Sequence, residues 1–269
     1  MARRPVYEET LVRADLDDLW RHTQEPDRHQ RWDLRFTWIE YLPRADADAP
    51  QEFRYAVRLA PGVTVDGTGA TVGDRHGAGG SRTSALVFGS DHPLSLIRSG
   101  SGYWRYVPTP DGIRFLTGYD YRPRWGTAGR LADALFRPVM GWGTAWSFDR
   151  LRLWLENGTP PETSLRRALL DVAGRLVAVG AAWMFAPWPV AALVTVAAFL
   201  APPLPTTPAA RRCRRRPPDR RSATPPAALP ALRNRLPAPA PRRRPTPALR
   251  NRRPAHQDQT PLTPHRSTR

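Results

Sequence analysis

The chain has 269 residues and a formal net charge of +17, which is distributed unevenly. All 41 basic residues are arginine, and 17 of them follow Pro205, where only Asp219 and Asp258 oppose them. The single cysteine, Cys213, excludes an internal disulfide framework and lies outside any metal-ligand spacing, so no metal site is predicted. In residues 1–204 the acidic and basic side chains nearly cancel, so the strong positive charge belongs to the C-terminal region.

The first part of the chain predicts one strand, two short helices and six further strands. Alternation over 5–13 predicts the first strand, and Asp15 can cap a helix that ends near Pro26. Pro26 begins a second helix that ends at Trp32. Alternating apolar runs separated by Gly and Pro turns predict the other strands, and such short connections favour an antiparallel meander. Their ranges are 36–41, 51–60, 63–72, 82–90, 95–107 and 112–122.

A long helix is predicted after the strands. Apolar residues between 127 and 155 recur at helical spacing and form one stripe that we expect to face the sheet. Pro138 should bend this helix, and Asn157-Gly158 should end it. The stripe consists of Leu131, Leu135, Val139, Trp142, Trp146, Leu151 and Leu155. A sheet of this length with one covering helix would wrap around that helix.

Three local phrases carry a resemblance to a known superfamily. They are Ala-Asp-Leu-Asp-Asp-Leu-Trp at 14–20, Glu-Pro-Asp-Arg-His-Gln-Arg-Trp-Asp at 25–33, and the helical segment 136–151. With the element order, they resemble the SRPBCC superfamily of START-like, polyketide cyclase/dehydrase and birch-pollen-allergen-like proteins, and the third phrase resembles its actinobacterial members. The resemblance covers roughly residues 4–158. It implies an α+β helix-grip (START-like) fold, in which a curved antiparallel sheet surrounds the long C-terminal helix and leaves an apolar cavity for lipids, polyketides or hormones.

The implied cavity would be lined by one face of each strand and by the inward stripe of the helix. Strand alternation and side-chain size select seven aromatic residues as candidates for its wall. The alternative for each of them is simple core packing. The seven are Trp38, Tyr55, Trp104, Phe115, Tyr119, Trp142 and Trp146.

The sequence contains no catalytic signature. The histidines are scattered, and His29 is expected on a surface helix with no carboxylate or nucleophile at triad spacing. The resemblance to polyketide cyclases offers Asp120, Tyr119 or Arg105 as an acid, base or orienting group, without singling any of them out. No catalytic residue and no cofactor is predicted, and this interpretation favours binding over catalysis.

Residues 159–204 form an apolar segment that is free of charge from Leu176 to Ala210. This length exceeds the roughly 20 residues that cross a bilayer. Three alternatives remain open: one kinked span, a helical hairpin with arms near 165–185 and 190–200 that turns at 186–189, and a soluble helical pair. Arginines on both sides favour a hairpin or an interfacial anchor, because both flanks then stay on the cytoplasmic side.

Residues 205–269 are rich in Pro and Arg and are predicted to be a disordered basic tail. Its arginines would attract an anionic membrane surface, would bind nucleic acid only without sequence specificity, or would simply be solvated. The N-terminus lacks the apolar core of a signal peptide, so the domain is expected in the cytoplasm, at the inner face of the cell membrane.

These observations lead to one hypothesis and one alternative. Residues 1–158 are expected to be an SRPBCC/START-like domain that binds or transports a small hydrophobic ligand, lipid or polyketide-like, in the cavity between sheet and helix. The apolar segment would tether it to the membrane. The alternative is an enzyme of the polyketide cyclase or aromatase type that uses the same cavity.

Overall fold

The computed structural model describes residues 4–44, 46, 49–74 and 77–233. Its centre is one antiparallel sheet of seven strands in the order β1-β7-β6-β5-β4-β3-β2. The strands are β1 Val6–Val12, β2 Trp38–Tyr41, β3 Gln51–Ala60, β4 Val63–Asp74, β5 Arg82–Gly89, β6 Ile97–Thr109 and β7 Gly112–Pro123. The helices are α1 Leu16–Gln24, α2 Pro26–Trp32, α3 Gly126–Asn157, α4 Pro161–Phe185, α5 Trp188–Leu200, α6 Arg220–Ala223 and α7 Ala228–Arg233, and short 3-10 turns occupy Ala78–Gly80 and Ala210–Arg212.

The sheet curves around α3 and confirms the predicted helix-grip fold. Strands β2 to β7 each pair with their neighbours in sequence, as short turns require. Strand β1 pairs with β7, in a register from Val6 opposite Tyr119 to Val12 opposite Ile113. Helices α1 and α2 therefore carry the chain from one edge of the sheet to the other.

Local chemistry sets the element boundaries close to those predicted. The Asp15 carboxylate accepts hydrogen bonds from the backbone N–H groups of Asp17 (2.7 Å) and Asp18 (3.1 Å) and caps α1. Gly158, with φ of 62°, adopts the left-handed conformation that ends α3. Strand β2 begins at Trp38, two residues later than predicted, because the Asp33 side chain accepts from the Arg35 backbone N–H (3.0 Å) and makes a turn there.

The main core lies between the concave face of the sheet and the C-terminal half of α3, with α1 and α2 against it. Phe115 of β7 and Phe148 of α3 are fully buried, and their ring centroids are 4.5 Å apart. Other members of this core are Val12, Leu19, Trp20, Trp32, Trp104, Tyr106, Ile113, Ala145, Trp146 and Leu151.

The N-terminal half of α3 contradicts the predicted inward stripe. Its apolar residues point to solvent: Leu131, Leu135, Val139 and Trp142 are 73%, 74%, 53% and 49% exposed. Polar and small residues face the sheet instead. Buried Asp133 accepts a hydrogen bond from the Tyr121 hydroxyl (2.6 Å). At Gly141 a Cβ would lie 3.2 Å from Glu8 Oε1, so the absence of a side chain allows the helix to approach this strand closely.

Helices α4 and α5 lie antiparallel as a helical hairpin, an arrangement that fits both the membrane hairpin and the soluble helical pair. They are joined by Ala186 and Pro187 alone. Trp183 Nε1 donates to Thr195 Oγ1 (3.0 Å), and Arg175 Nη1 donates to the carbonyls of Ala198 (2.6 Å) and Ala201 (2.9 Å). These contacts run antiparallel, so the chain leaves the domain along α4 and returns to it along α5.

Both ends of the hairpin are held by consecutive buried residues of α3. Arg150 donates to the backbone carbonyls of Trp32 (3.1 Å) and Pro161 (3.0 Å), which fixes the start of α4. Asp149 accepts from the Ala209 backbone N–H and from Arg212 Nη1, both at 2.7 Å, which fixes the chain after α5. Burial lowers the pKa of Arg150 to about 10, partly offset by Asp33, so the side chain remains charged at neutral pH.

Residues 205–233 differ from the predicted disordered tail, because they pack on the domain; we call them the strap. The strap exchanges backbone hydrogen bonds with β1, from Glu9 N to Arg214 O (2.9 Å) and from Arg214 N to Glu9 O (2.8 Å). Its helix α7 buries Leu229 and Leu232 against the outer face of the sheet. The Pro- and Arg-rich composition concealed these few apolar anchors. The remainder of the predicted tail, 234–269, lies outside the described residues.

Leu232→Ala should lower the free energy of unfolding by about 2–4 kcal/mol, because the truncation leaves a cavity beneath α7. Thermal or urea unfolding of detergent-solubilised protein measures this loss. Leu204→Ala is the matched control, since Leu204 is 59% exposed and its truncation should change stability little. Equal effects of the two variants would show that α7 does not pack on the sheet in solution.

Candidate functional site

Four of the seven predicted aromatic residues lie together on the concave face. Trp104 and Phe115 have ring centroids 5.9 Å apart, and His29 lies edge-on to Trp104 at 4.9 Å. Phe36 joins this group through His29 (5.2 Å) and through Tyr55 (5.5 Å). The Arg35 guanidinium lies 5.6 Å from the ring centroid of Tyr119. Tyr55, Trp104, Phe115 and Tyr119 are each at most 8% exposed.

Two of the other three predicted residues, Trp38 and Trp142, lie away from this group, whereas Trp146 belongs to the same buried core as Trp104 and Phe115. Trp38, on the edge strand β2, is 43% exposed. Trp142 and Trp146 stack on each other with centroids 6.2 Å apart and face the base of the hairpin. Trp38 and Trp142 are thus exposed, whereas the other five predicted side chains are buried. The close ring contacts around Phe115 are those of a packed core, and a ligand-binding role for these residues stays a prediction.

Sequence reasoning missed an ionic cluster on the same face, which we call the concave-face cluster: His29, Asp33, Arg35, Tyr119 and Glu8. Asp33 is at its centre and accepts from Arg35 Nε (2.9 Å), Arg35 Nη2 (2.6 Å) and His29 Nε2 (3.1 Å). The Tyr119 ring lies against the Arg35 guanidinium, and its hydroxyl forms a hydrogen bond with that of Thr144 on α3 (3.0 Å). The i, i+4 spacing of His29 and Asp33 in the second family-like phrase was the available signal.

His29 corrects the expectation of a surface histidine. Its side chain is only 12% exposed, and its ring stacks on Trp32 with centroids 4.9 Å apart. Burial lowers the pKa of His29, although its hydrogen bond to Asp33 opposes the shift. The ring is therefore neutral at pH 7. Because Asp33 is ionised, Nε2 is the donor towards it.

The charges of the cluster are set by burial and by Arg35. Burial alone would raise the pKa of Asp33, but the Arg35 guanidinium and the His29 hydrogen bond hold it well below its usual range. Asp33 and Arg35 thus form a buried ion pair. An ion pair in this position gives an otherwise apolar interior a polar group that can orient a ligand.

Glu8 is a buried carboxylate with one oxygen unused. It is 2% exposed, and its Oε2 has no hydrogen-bond partner among the described residues. The nearest cation is Arg215 of the strap, with 3.9 Å between Nε and Oε1. Burial raises the pKa of Glu8 to about 8, against the opposing charges of Arg215 and Arg35. Glu8 is therefore largely protonated at neutral pH.

The other groups offered by the cyclase resemblance lie outside this cluster. Asp120 is paired with Arg137 (2.9 Å) at the surface. Arg105 donates to backbone carbonyls of the strap, including that of Thr224 (2.8 Å). Of the three, only Tyr119 lies in the concave-face cluster. Within the described ranges, no group of three or more His, Cys, Asp or Glu side chains is placed to hold a metal ion.

A pocket of about 860 Å3 opens on the opposite side of α3; we call it the hairpin-base pocket. One wall is apolar and is formed by Trp142 and Trp146 of α3, Val172 of α4 and Phe199 of α5. The strap forms the other wall and contributes exposed arginines. The pocket is thus lined by apolar side chains on one side and by positively charged side chains on the other.

The hairpin beyond this pocket is apolar and exposed. Helix α4 is long and apolar enough to cross a membrane, with a mean hydropathy of 1.6 over a window of which none is buried, whereas α5 is shorter. The side chains at the turn are among the most exposed apolar groups described: Trp183 58%, Met184 73%, Phe185 82% and Trp188 75%. Water is a poor solvent for such a surface.

Comparison with known proteins gives one related sequence and several similar folds. No family model matches the chain. Over 174 residues it is 48% identical to the uncharacterized membrane protein YndG of Bacillus subtilis (strain 168), a match covering 64% of this chain and 65% of YndG. The chain thus matches less than two thirds of that relative's length. The match is to a Bacillus protein, so the actinobacterial type stays a prediction.

Solved structures with a similar fold include lipid-transfer and cyclase proteins. The STAR-related lipid transfer protein of Xanthomonas axonopodis has a TM-score of 0.43 at 22% identity, over 55% of this chain and 85% of that one. The di-domain ARO/CYC StfQ of the steffimycin biosynthetic pathway has a TM-score of 0.43 at 15% identity, over 57% and 52%. Human StAR-related lipid transfer protein 5 has a TM-score of 0.39 at 16% identity, over 55% and 74%. These scores are low, so the fold assignment rests on the strand order and helix placement described above.

Glu8→Gln should stabilise the protein increasingly as pH rises. Between the normal carboxyl pKa and about 8, the unfolded chain ionises Glu8 while the folded chain keeps it protonated, so rising pH destabilises the wild type. The variant lacks this effect and should gain about 2–4 kcal/mol relative to wild type by pH 8. Unfolding temperatures measured from pH 5 to 9 give the difference. The control Glu40→Gln, at an exposed site on β2, should show the same pH dependence of unfolding temperature as wild type. A stability difference between Glu8→Gln and wild type that does not change with pH would contradict a raised pKa of the buried Glu8 carboxyl.

Proposed function

We propose that this protein is a START-like domain anchored in one leaflet of a membrane by the α4–α5 hairpin, where it binds a small hydrophobic ligand such as a lipid or polyketide. The observation that carries the proposal is the hairpin itself, whose apolar side chains are exposed around the turn next to a helix-grip domain. The description of the relative YndG as a membrane protein agrees with this placement.

The length of the hairpin supports insertion into one leaflet. At about 1.5 Å per residue, the charge-free stretch of α4 from Leu176 to Phe185 is about 15 Å long, and α5 from Trp188 to Leu200 is about 20 Å long. The hydrocarbon core of a bilayer is about 30 Å thick. The hairpin therefore reaches about the middle of the bilayer, and its aromatic turn lies in the hydrocarbon.

Charge supports a placement with both flanks on one side. Asp149 and Arg150 tie both ends of the hairpin to the same turn of α3, so neither end is free to cross. Arginines also flank both ends of the apolar stretch, and cytoplasmic loops carry such an excess. The domain would thus sit at the cytoplasmic face of the membrane.

Ligand binding is supported by two places in the molecule. The concave-face cluster supplies an ion pair within aromatic surroundings, which suits a mainly apolar guest that is oriented by a few polar contacts. The hairpin-base pocket supplies volume beside the apolar turn-bearing helices. A ligand extracted from the bilayer would meet this pocket first.

Met184→Asp/Phe185→Asp should release the protein from membranes. A charged residue near the bilayer centre costs about 2.5–3.5 kcal/mol, so two of them should reduce partitioning by more than about 100-fold. Membrane fractionation after high-speed centrifugation measures the shift from pellet to supernatant. Leu34→Asp/Leu59→Asp, at exposed apolar sites of the domain, is the matched control and should stay in the pellet. Retention of the hairpin variant in the membrane fraction would exclude the hairpin as the anchor.

A second candidate is an enzyme of the polyketide cyclase type, and the geometry of His29 favours it. Its Nε2 donates to an ionised Asp33, while Nδ1 has no hydrogen-bond partner in the described part of the chain. A neutral imidazole held in this way by a carboxylate is arranged as a general base, and the carboxylate stabilises the imidazolium that forms on proton uptake.

Native mass spectrometry of the purified protein distinguishes carrier from enzyme. A carrier should retain a hydrophobic adduct and return it unchanged after incubation with a polyketide or lipid mixture. An enzyme should return a product that has lost one water molecule, and His29→Gln should abolish this conversion while His92→Gln does not. Protein that retains no hydrophobic molecule under any condition would contradict ligand binding and catalysis together.

A further inference from the structure

The hairpin-base pocket lies where the hydrophobic part of the hairpin begins. Arg175, which caps the C-terminal carbonyls of α5, and Phe199 both line it. From Arg175 the apolar stretch of α4 runs about 15 Å to the turn, which is the depth of one leaflet. With the hairpin inserted, the pocket therefore lies at the level of the lipid phosphates. This placement rests on the proposed function.

We propose that the hairpin-base pocket is a binding site for the phosphate headgroup of an anionic phospholipid, held by Arg211, Arg214, Arg215 and Arg216 of the strap. Guanidinium groups present forked donors that match the oxygens of a phosphodiester. The acyl chains of the lipid would continue along Trp142 and Phe199 into the leaflet.

The charge around the pocket is unbalanced in favour of an anion. Arg211 and Arg216 make no ion pair within the described residues, and both are exposed. Arg214 is 4.0 Å from Glu9, whose carboxylate is already held by Arg114. Asp171, the acidic residue that lines the pocket, is paired with Arg175 (3.0 Å). The four strap arginines are therefore available to a ligand.

Glu8 adds little negative charge beneath this site. It is the carboxylate nearest to Arg215, and burial raises its pKa to about 8. Arg35, on the concave side, opposes that shift. At neutral pH Arg215 thus faces a largely protonated carboxyl and keeps its positive charge for the pocket.

The pocket lining also includes an unpartnered hydroxyl and a half-exposed tryptophan. Thr207 lines the pocket and is 3% exposed, yet its Oγ1 has no hydrogen-bond partner among the described residues. A buried hydroxyl without a partner is unfavourable. Trp142, half exposed on the opposite wall, suits the interface between headgroups and hydrocarbon, where tryptophan is enriched.

Native mass spectrometry from detergent micelles doped with equal amounts of phosphatidylglycerol and phosphatidylcholine tests the site. Wild-type protein should retain one phosphatidylglycerol molecule in at least about tenfold preference. Arg214→Gln/Arg215→Gln/Arg216→Gln should weaken this retention by about 100-fold, at about fivefold for each arginine near a lipid surface. Arg58→Gln/Arg98→Gln/Arg122→Gln removes the same charge from exposed sites outside the pocket and should leave the preference intact.

Two results would overturn the site. Equal retention of both lipids by wild type, or an unchanged preference in the strap variant, would show that the pocket does not distinguish the two headgroups. Displacement of the lipid by millimolar inorganic phosphate alone would identify a soluble anion as the occupant. Membrane fractionation of the same strap variant keeps the two proposals apart: the hairpin alone should hold it in the pellet, so loss of lipid preference with retained membrane binding concerns the pocket only.

Discussion

Asp149 and Arg150, adjacent on α3 and both buried, hold the hairpin to the domain. Arg150 fastens the chain before α4 and Asp149 fastens the chain after α5, each through charge-assisted hydrogen bonds at 2.7–3.1 Å. Breaking such a buried charged contact on one side typically costs about 3–5 kcal/mol. Both ends of the hairpin are therefore positioned against one turn of α3 by two neighbouring side chains.

The polar residues of the interior are arranged around the same helix. The face of α3 that meets the concave side of the sheet carries Asp133, Gly141 and Thr144. These polar and small residues leave room for Glu8 and Tyr119. On its outer side it presents Trp142 to the hairpin-base pocket. Helix α3 thus separates the buried concave-face cluster from the hairpin-base pocket with its exposed arginines, and Glu8 with Arg215 links the two sides.

Much of the fold could be predicted because its signals are local. Strand alternation, Gly and Pro turns and the Asp15 cap depend on near neighbours in sequence, and α2 and β3 match their predicted bounds. The face of α3 could not be predicted correctly, because apolar periodicity normally marks the core side and here Leu131 and Leu135 point outward. Which side of such a helix meets the sheet depends on distant residues such as Glu8 and Tyr121.

The site was predicted only in part for a similar reason. Size and alternation identified Tyr55, Trp104, Phe115 and Tyr119, which do lie together, but not the ionic cluster beside them. Arg35 stands outside regular secondary structure, and nothing local indicates that it turns inward to Asp33. The packing of the strap on the domain was not predicted, because composition averages over a whole segment. Its attachment depends on a few residues such as Leu229 and Leu232.

The attachment of the strap has a consequence for how the protein is made. Leu229 and Leu232 cover Tyr103 and Leu116 on the outer face of the sheet, and they follow the hairpin in the chain. During translation, the ribosome has already released the whole sheet and both hairpin helices before this cover emerges. Those aromatic and aliphatic groups stay uncovered until then, so the packing of the domain is completed only after both hairpin helices have emerged.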